Sequence, residues 1–313
     1  MIVTDLHSGK ETVIDENDRL ICAIGNFDGV HLGHMELISR VSSKPDEYTK
    51  SAVWTFNEHP DVFRPGRKAE ILTSIEQKAE IFCKNGIDLM ITEDFQSVSD
   101  IPYDKFAAEI LYEKCKIRNI VCGYNFRFGK GAVGNAASLS AIFSRLGAKT
   151  TIVPKKTIDG IDVSSTKIRA FISNGDMETA AKLLGRPFSI SLPVINGNHI
   201  GRTIDFPTMN MSFPESAIIP RHGVYACTCT IDKERYNAIA NIGTRPTVSS
   251  IGNVNCETHV IGYSGDLYGK TITVEFHKFL RGEVKFNDLP SLKKQISIDK
   301  ISAENFLKGD IEI

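Results

Sequence analysis

Apolar positions follow two regimes along the chain. Up to about residue 185, short unbroken apolar runs alternate with amphipathic stretches. The runs are Leu20 to Ile24, Ala52 to Phe56, Leu89 to Ile91, Ile120 to Cys122 and Thr150 to Val153; the stretches are Met35 to Val41, Ser74 to Lys84, Tyr103 to Lys114 and Ala136 to Leu146. Runs of that length read as strands buried on both faces, and the stretches between them have helical spacing. Strand and helix in alternation predict an α/β domain, a doubly wound parallel sheet with helices on both faces, whose ligands sit beyond the carboxyl ends of the strands.

After Gly185-Arg186-Pro187 the period changes to two. Alternate positions are apolar in Val224 to Ile231 and in Thr271 to Phe276, as in strands with one buried face, and glycine-rich turns separate them. Leu292, Ile296, Ile301 and Phe306 then recur at broadly helical spacing. A mostly β domain closed by one or two terminal helices is predicted, giving an organisation of 1–185 and 186–313. A chain of 313 residues is long enough for two such cores.

Charge and cysteines narrow the class. Lysine plus arginine number 37 and aspartate plus glutamate 38, a formal net charge of −1, which argues against a dedicated nucleic-acid binder. No apolar run reaches the roughly 20 residues of a membrane span, and Asp5 interrupts the start too early for a secretory signal, so the sequence reads as a soluble, cytoplasmic protein. The seven cysteines are scattered through apolar stretches and read as reduced small hydrophobes; Cys227 and Cys229 share a strand face but lack the other two ligands of a zinc site.

The chemistry-bearing stretch is Ile24-Gly25-Asn26-Phe27-Asp28-Gly29-Val30-His31-Leu32-Gly33-His34, between the first apolar run and the first helix. A helix start offers free amides and a positive dipole to an anion, and His31 and His34, three apart, both donate there. The missing side chain of Gly33 is expected to let a phosphate approach the backbone. Ser164-Ser165-Thr166 is a second candidate, capping a helix at Lys167, with Lys167 and Arg169 adding positive charge. Two glycine-rich segments are decoys. Gly129-Lys130-Gly131-Ala132-Val133-Gly134 matches a dinucleotide fingerprint but follows a late strand, and Gly265 to Thr271 is one residue short of a P-loop and leads into a strand.

The run Gly25 to His34 resembles the HxGH signature of nucleotidyltransferases, and its full wording resembles bacterial bifunctional riboflavin kinase/FAD synthetases. Thr55 to Pro60, Leu72-Thr73-Ser74 with Lys78, Gly123 to Gly129 and Ser164 to Arg169 resemble further segments of that family, in order. The resemblance implies a Rossmann-like nucleotidyltransferase domain followed by a riboflavin-kinase barrel with a C-terminal helix. It implies adenylyl transfer in the first half, the FMN phosphate attacking the α-phosphorus of ATP with release of pyrophosphate. His31, His34 and Arg169 are then catalytic, Gly25, Phe27, Asp28, Gly29, Ser164, Ser165 and Thr166 bind ATP, and Phe63, Asn125 and Phe128 hold FMN.

In the second half Gly197 to Asn210 resembles the glycine-rich loop and PTAN motif of riboflavin kinases, with Asp205 and Met209 where that family usually has glycine and alanine. Gly223-Val224-Tyr225, Asn241 to Thr247, Glu257-Thr258-His259, Asp266 to Gly269 and Leu280 to Glu283 are similar to its later landmarks. The resemblance implies ATP binding by Gly197, Gly201 and Arg202, flavin binding by Asn241, Thr247 and Arg281, and a magnesium ion on the oxygen ligands Thr208 and Asn210. Glu257 is the expected base for the ribityl 5′-hydroxyl, a neutral nucleophile. His259, on the same strand face, is not expected to form a dyad with it. Small-molecule substrates (riboflavin, FMN, ATP) and product FAD are implied, with no nucleic acid and no membrane; a homo-oligomer stays open. Alternatives are retention of one activity, with the kinase lost through Asp205, an RNA-binding protein sharing the HxGH turn, and a flavin-binding regulator.

Overall fold

The computed structural model describes residues 1–6, 14–15, 17–44, 46, 48–66, 68–196, 206–244 and 254–309. Contacts divide the chain into Met1–Ser165 and Thr166–Ile313.

The first unit is a six-stranded parallel sheet built from β1 (Ile2–Asp5), β2 (Arg19–Ile24), β3 (Thr49–Phe56), β4 (Leu89–Glu93), β5 (Ile117–Gly123) and β6 (Lys149–Val153) in the order β1-β4-β3-β2-β5-β6. Alternation along the strands sorts their side chains into two cores. Leu20, Cys22, Ile24, Ala52, Trp54, Leu89 and Ile91 face one side, where Phe106 and Leu111 of the helical segment 103–114 and Leu139 and Phe143 of the helix Ala136–Arg145 cover them. Ala23, Val53, Met90 and Val121 face the other, under Leu37, Ile38 and Val41 of α1 (Leu32–Ser42) and Phe82 of α2 (Ile75–Lys84). Phe106–Lys114 winds as a π-helix. The strand β1 has no counterpart in the sequence reading: it is four residues long and exposes Ile2 and Val3 at the sheet edge.

Two of the three dinucleotide-like glycines serve packing. A Cβ at Gly129 or Gly134 would meet the Tyr103 backbone or side chain at 2.5 to 2.7 Å, so both are small because the helix beginning at Tyr103 presses on them.

The second unit is a six-stranded antiparallel sheet of β7 (Phe188–Pro193), β8 (Met209–Ser212), β9 (Gly223–Ile231), β10 (Glu234–Thr244), β11 (Val254–Val260) and β12 (Thr271–Arg281) in the order β7-β12-β9-β10-β11-β8. A bridge from Ile195, just past β7, to Asn210 of β8 joins the two edges, so the sheet curls towards a barrel. The helices Ser165–Asn174 and Met177–Leu184 bury Ile168, Ile172, Met177, Ala180, Leu183 and Leu184. The described residues end in one helix, α3 (Leu289–Gly309), whose Ala303 and Leu307 pack on Ala226 and Ile239.

That helix is also pinned by charge. The Arg281 guanidinium, at the end of β12, donates to both carboxylate oxygens of Asp299 at 2.7 to 3.1 Å, and Gln295 donates to the same carboxylate at 2.9 Å. Asp299 is 4% exposed. Asp299→Ala leaves a half-buried guanidinium without its counter-charge, so the second unit should lose on the order of 3 kcal/mol in urea unfolding, the cost of breaking a buried pair from one side.

Burial also sets an alkaline limit. It pushes the Cys115 thiol up to about 12 and Cys122 to about 11 from an ordinary 9.0, and raises Cys22, Cys227, Cys229 and Cys256 in the same direction. These thiols ionise first in the unfolded chain, so the stability they contribute is complete below 9.0 and is lost as pH rises. Lys78, depressed by burial to about 8, works the other way up to its ordinary 10.5, one ammonium against six thiols. Urea midpoints should therefore fall between about pH 9 and pH 11; a flat or rising midpoint refutes this.

Candidate functional site

The turn from β2 into α1 carries the first site. His31 caps α1, its Nδ1 accepting from the His34 amide at 3.2 Å. A ring nitrogen that accepts holds no proton, so the proton of the neutral ring sits on Nε2. The two imidazoles stack with centroids 3.6 Å apart and planes 10° apart, and Phe27 meets the His34 ring edge-on at 5.2 Å. At Gly33 a Cβ would stand 3.2 Å from the His31 ring, so any side chain there would crowd the imidazole.

Several residues expected at the nucleotide turn out to build the turn. Phe27 is fully buried and Asp28 is 2% exposed. The Asp28 carboxylate accepts from the amides of Leu72 (2.9 Å) and Thr73 (3.3 Å), and its carbonyl accepts from the Ser165 hydroxyl at 2.9 Å. What Phe27 and Asp28 offer a ligand is therefore main chain. Phe27, Gly29 and Val30 all have positive φ, at 50°, 85° and 38°. Gly25 lies at the end of β2 against the Phe27 ring. The helix after the second motif starts at Ser165, two residues before the expected Lys167, and the Ser165 hydroxyl joins that motif to the first. Ser164 precedes this helix, Thr166 is exposed in its first turn, and Arg169 lies one helical turn beyond Ser165, half-buried.

An aromatic wall stands at the carboxyl ends of β3 and β4. Phe63 stacks on Phe95 at 5.8 Å, and Phe95 meets Phe56 edge-on at 5.3 Å. All three are half-buried. Phe95 was not singled out by the sequence reading and Phe56 only as part of Thr55 to Pro60; Phe56 ends β3 and Phe95 lies two residues past β4. Phe128, expected beside the flavin, is 7% exposed and belongs to the core, with Tyr103, Phe106 and Phe126 around it; Phe126, stacked on it at 5.4 Å, is the more accessible ring of that loop. Asn125 is exposed in the same loop.

In the second unit the strand register assembles the chemistry. Glu257 on β11 is paired with Asn210 on β8 and with Asn241 on β10, so three polar side chains form one row on one sheet face. His259, two residues on, donates from Nδ1 to the Pro207 carbonyl at 2.9 Å and meets the Phe206 ring edge-on. Burial depresses its pKa; the carbonyl pulls it back up and Lys300 pushes it down. The imidazole thus holds the segment before Thr208.

Pro207 and Thr208 border a cleft of about 510 Å³, walled by Met209, Thr258, Tyr263 and Tyr268 with Gly265 between them. The segment one residue short of a P-loop, which also carries the kinase-like landmark Asp266 to Gly269, therefore contributes to a cleft wall. Met209 places a thioether chain where the related motif has alanine. Arg281, expected over the flavin, spends its guanidinium on Asp299 and the Gly282 carbonyl. Gly197, Gly201, Arg202, Asp205 and Thr247 lie outside the described residues.

Among the described residues no group of three or more His, Cys, Asp or Glu side chains is placed to hold a metal, and no helix is long and apolar enough to cross a membrane.

The family model of FAD synthetase matches residues 13–167 and that of riboflavin kinase matches 184–307. A bifunctional riboflavin kinase/FMN adenylyltransferase of Haemophilus influenzae is 34% identical over 290 residues, covering 91% of this chain and 94% of that one. The protein of the same description from Pseudomonas fluorescens is 31% identical over 297 residues, covering 94% and 95%. A crystal structure described as a macrolide-efflux protein from Streptococcus pneumoniae superposes with a TM-score of 0.84 at 26% identity, covering 97% of this chain and 99% of that one. With both domain models in the expected order and relatives matched along nearly their whole length, the chain belongs to the family of bifunctional riboflavin kinase/FMN adenylyltransferases.

Proposed function

We propose that this chain makes FAD in two steps: residues 186–313 phosphorylate riboflavin with ATP to give FMN and ADP, and residues 1–185 join FMN to a second ATP, releasing pyrophosphate. The observation that supports this reading is that each unit brings together its own set of polar side chains: stacked imidazoles at a helix start in one, a carboxylate between two side-chain amides in the other. The reading brings small-molecule substrates, a cytoplasmic location and no nucleic-acid partner.

In the first step the nucleophile is a neutral alcohol, so a base is required. Glu257 orients the ribityl 5′-hydroxyl and takes its proton as the γ-phosphoryl group transfers. Asn210 and Asn241 flank that carboxylate and steer the alcohol and the nucleotide. The donor set suits magnesium: Thr208 and Asn210, two apart in the chain, offer hard oxygen ligands. Magnesium there supplies neutralisation of the phosphate charge when bound. The cleft beside Thr208 has the size of a small-molecule site and is the place for the nucleoside.

In the second step the attacking FMN phosphate is already an anion. Catalysis reduces to alignment and charge stabilisation, with no general base. His31 donates from Nε2, His34 lies stacked against it, and the α1 amides and Arg169 complete the donors for the departing pyrophosphate. Phe63, with Phe56 and Phe95, offers an aromatic face to the isoalloxazine, and Asn125 a polar group to its phosphate.

Incubation with riboflavin, ATP and magnesium, followed by chromatography of the flavins, should show FMN and then FAD. His34→Ala should lower FAD formation by about 10²- to 10³-fold, the loss typical of one stabilising donor, while FMN still accumulates. Glu257→Gln should lower FMN formation by about 10²- to 10⁴-fold while supplied FMN is still adenylylated. Loss of both steps in either folded variant contradicts two separate sites.

A further inference from the structure

The turn carrying His31 and His34 is a costly backbone. Phe27 and Val30 are non-glycine residues in the left-handed region, with Gly29 between them. Such conformations are unfavourable for side chains with a Cβ and persist only where the surroundings over-determine them. Here the surroundings are largely α2 and the segment leading into it. The Asp28 carboxylate accepts from the Leu72 and Thr73 amides, and Phe27 packs edge-on against Phe82 at 5.6 Å. One helical turn before Phe82, on the same face of α2, stands Lys78.

Lys78 is 4% exposed, and its ammonium donates to the Asn26 carbonyl at 2.8 Å. The Thr55 hydroxyl donates to the same carbonyl at 3.2 Å. A buried ammonium is expensive, and an apolar side chain of equal length would fill the space without that cost. Burial is the main influence on this group, lowering its pKa to about 8, and the negative charge of Asp28 pulls it partly back. The ammonium thus grips the residue that opens the strained turn.

We infer that Lys78 is a positioning residue for adenylyl transfer: by holding the Asn26 carbonyl it fixes the turn whose far end presents the stacked rings of His31 and His34 to the phosphates. The inference rests on the reading of the first unit as the adenylyl-transfer site. Lys78 acts through the main chain and need not touch a substrate.

The test uses the full chain. Lys78→Met keeps the methylene packing and removes the donor. With supplied FMN, kcat for FAD formation should fall by about 10²-fold, the scale of a small misplacement of catalytic groups, with KM for FMN and ATP little changed. FMN formation from riboflavin, read in the same preparation, should stay at the wild-type rate. Thr55→Val removes the second donor with little change of shape and should lower the same kcat by a smaller factor, with unchanged thermal unfolding. This second variant decides the matter if Lys78→Met does not fold.

A wild-type kcat in folded Lys78→Met overturns the inference, as does a rise in KM alone, or an unchanged kcat in Thr55→Val when the first variant is unfolded. A wild-type protein that makes FMN but no FAD overturns the adenylyl-transfer reading itself, and the inference with it.

Discussion

A strand buried on both faces can place polar chemistry only at its ends, and this constraint organises the first unit. Residues 20 to 24, 52 to 54 and 89 to 91 divide between two hydrophobic cores with no side left for a ligand. The histidine turn, Phe56 and Phe95 accordingly lie at or beyond the carboxyl ends of β2, β3 and β4. The second unit escapes the constraint by another route. Its sheet is antiparallel and curls until Ile195 reaches Asn210, which lets Glu257 sit in mid-strand beside Asn210 and Asn241.

The two sites consequently draw on different kinds of rigidity. Around Glu257, main-chain ladders set the spacing, because register partners in antiparallel strands stand about 5 Å apart whatever their side chains. Around His31 no ladder exists, and the turn is held piece by piece. Leu72 and Thr73 hold the Asp28 carboxylate, Ser165 its carbonyl, Phe82 the Phe27 ring, and Lys78 and Thr55 the Asn26 carbonyl. Much of the motif's wording, Asp28 included, thus serves geometry inside the protein. His259 is the equivalent in the second unit, a polar residue near the chemistry that works by holding Pro207.

Legibility differed residue by residue for physical reasons. The two periodicities exposed the parallel sheet and the antiparallel one, since burial on two faces or one leaves its mark on every strand. The edge strand β1 left none, because Ile2 and Val3 are exposed. The spacing of His31 and His34 pointed correctly to a helix start, but not to the stacking of the rings, nor to the closeness of the His31 ring to Gly33. Arg281 and Phe128 look like ligand contacts in one dimension; one is claimed by Asp299, 18 residues away, and the other by a core assembled from Tyr103 and Phe106.

By itself the sequence determined what is local: element types, the order of the two halves, the helix start at His31, the turn chemistry and the identity of the motifs. Those depend on neighbours within a few residues, where side-chain period and backbone preference act. Only the tertiary structure decided which polar groups remain for a ligand. A carboxylate or guanidinium carries the same charge in any sequence, but its hydrogen bonds are taken by whichever buried partner the fold brings within about 3 Å, and those partners, Leu72 for Asp28 and Asp299 for Arg281, come from other elements.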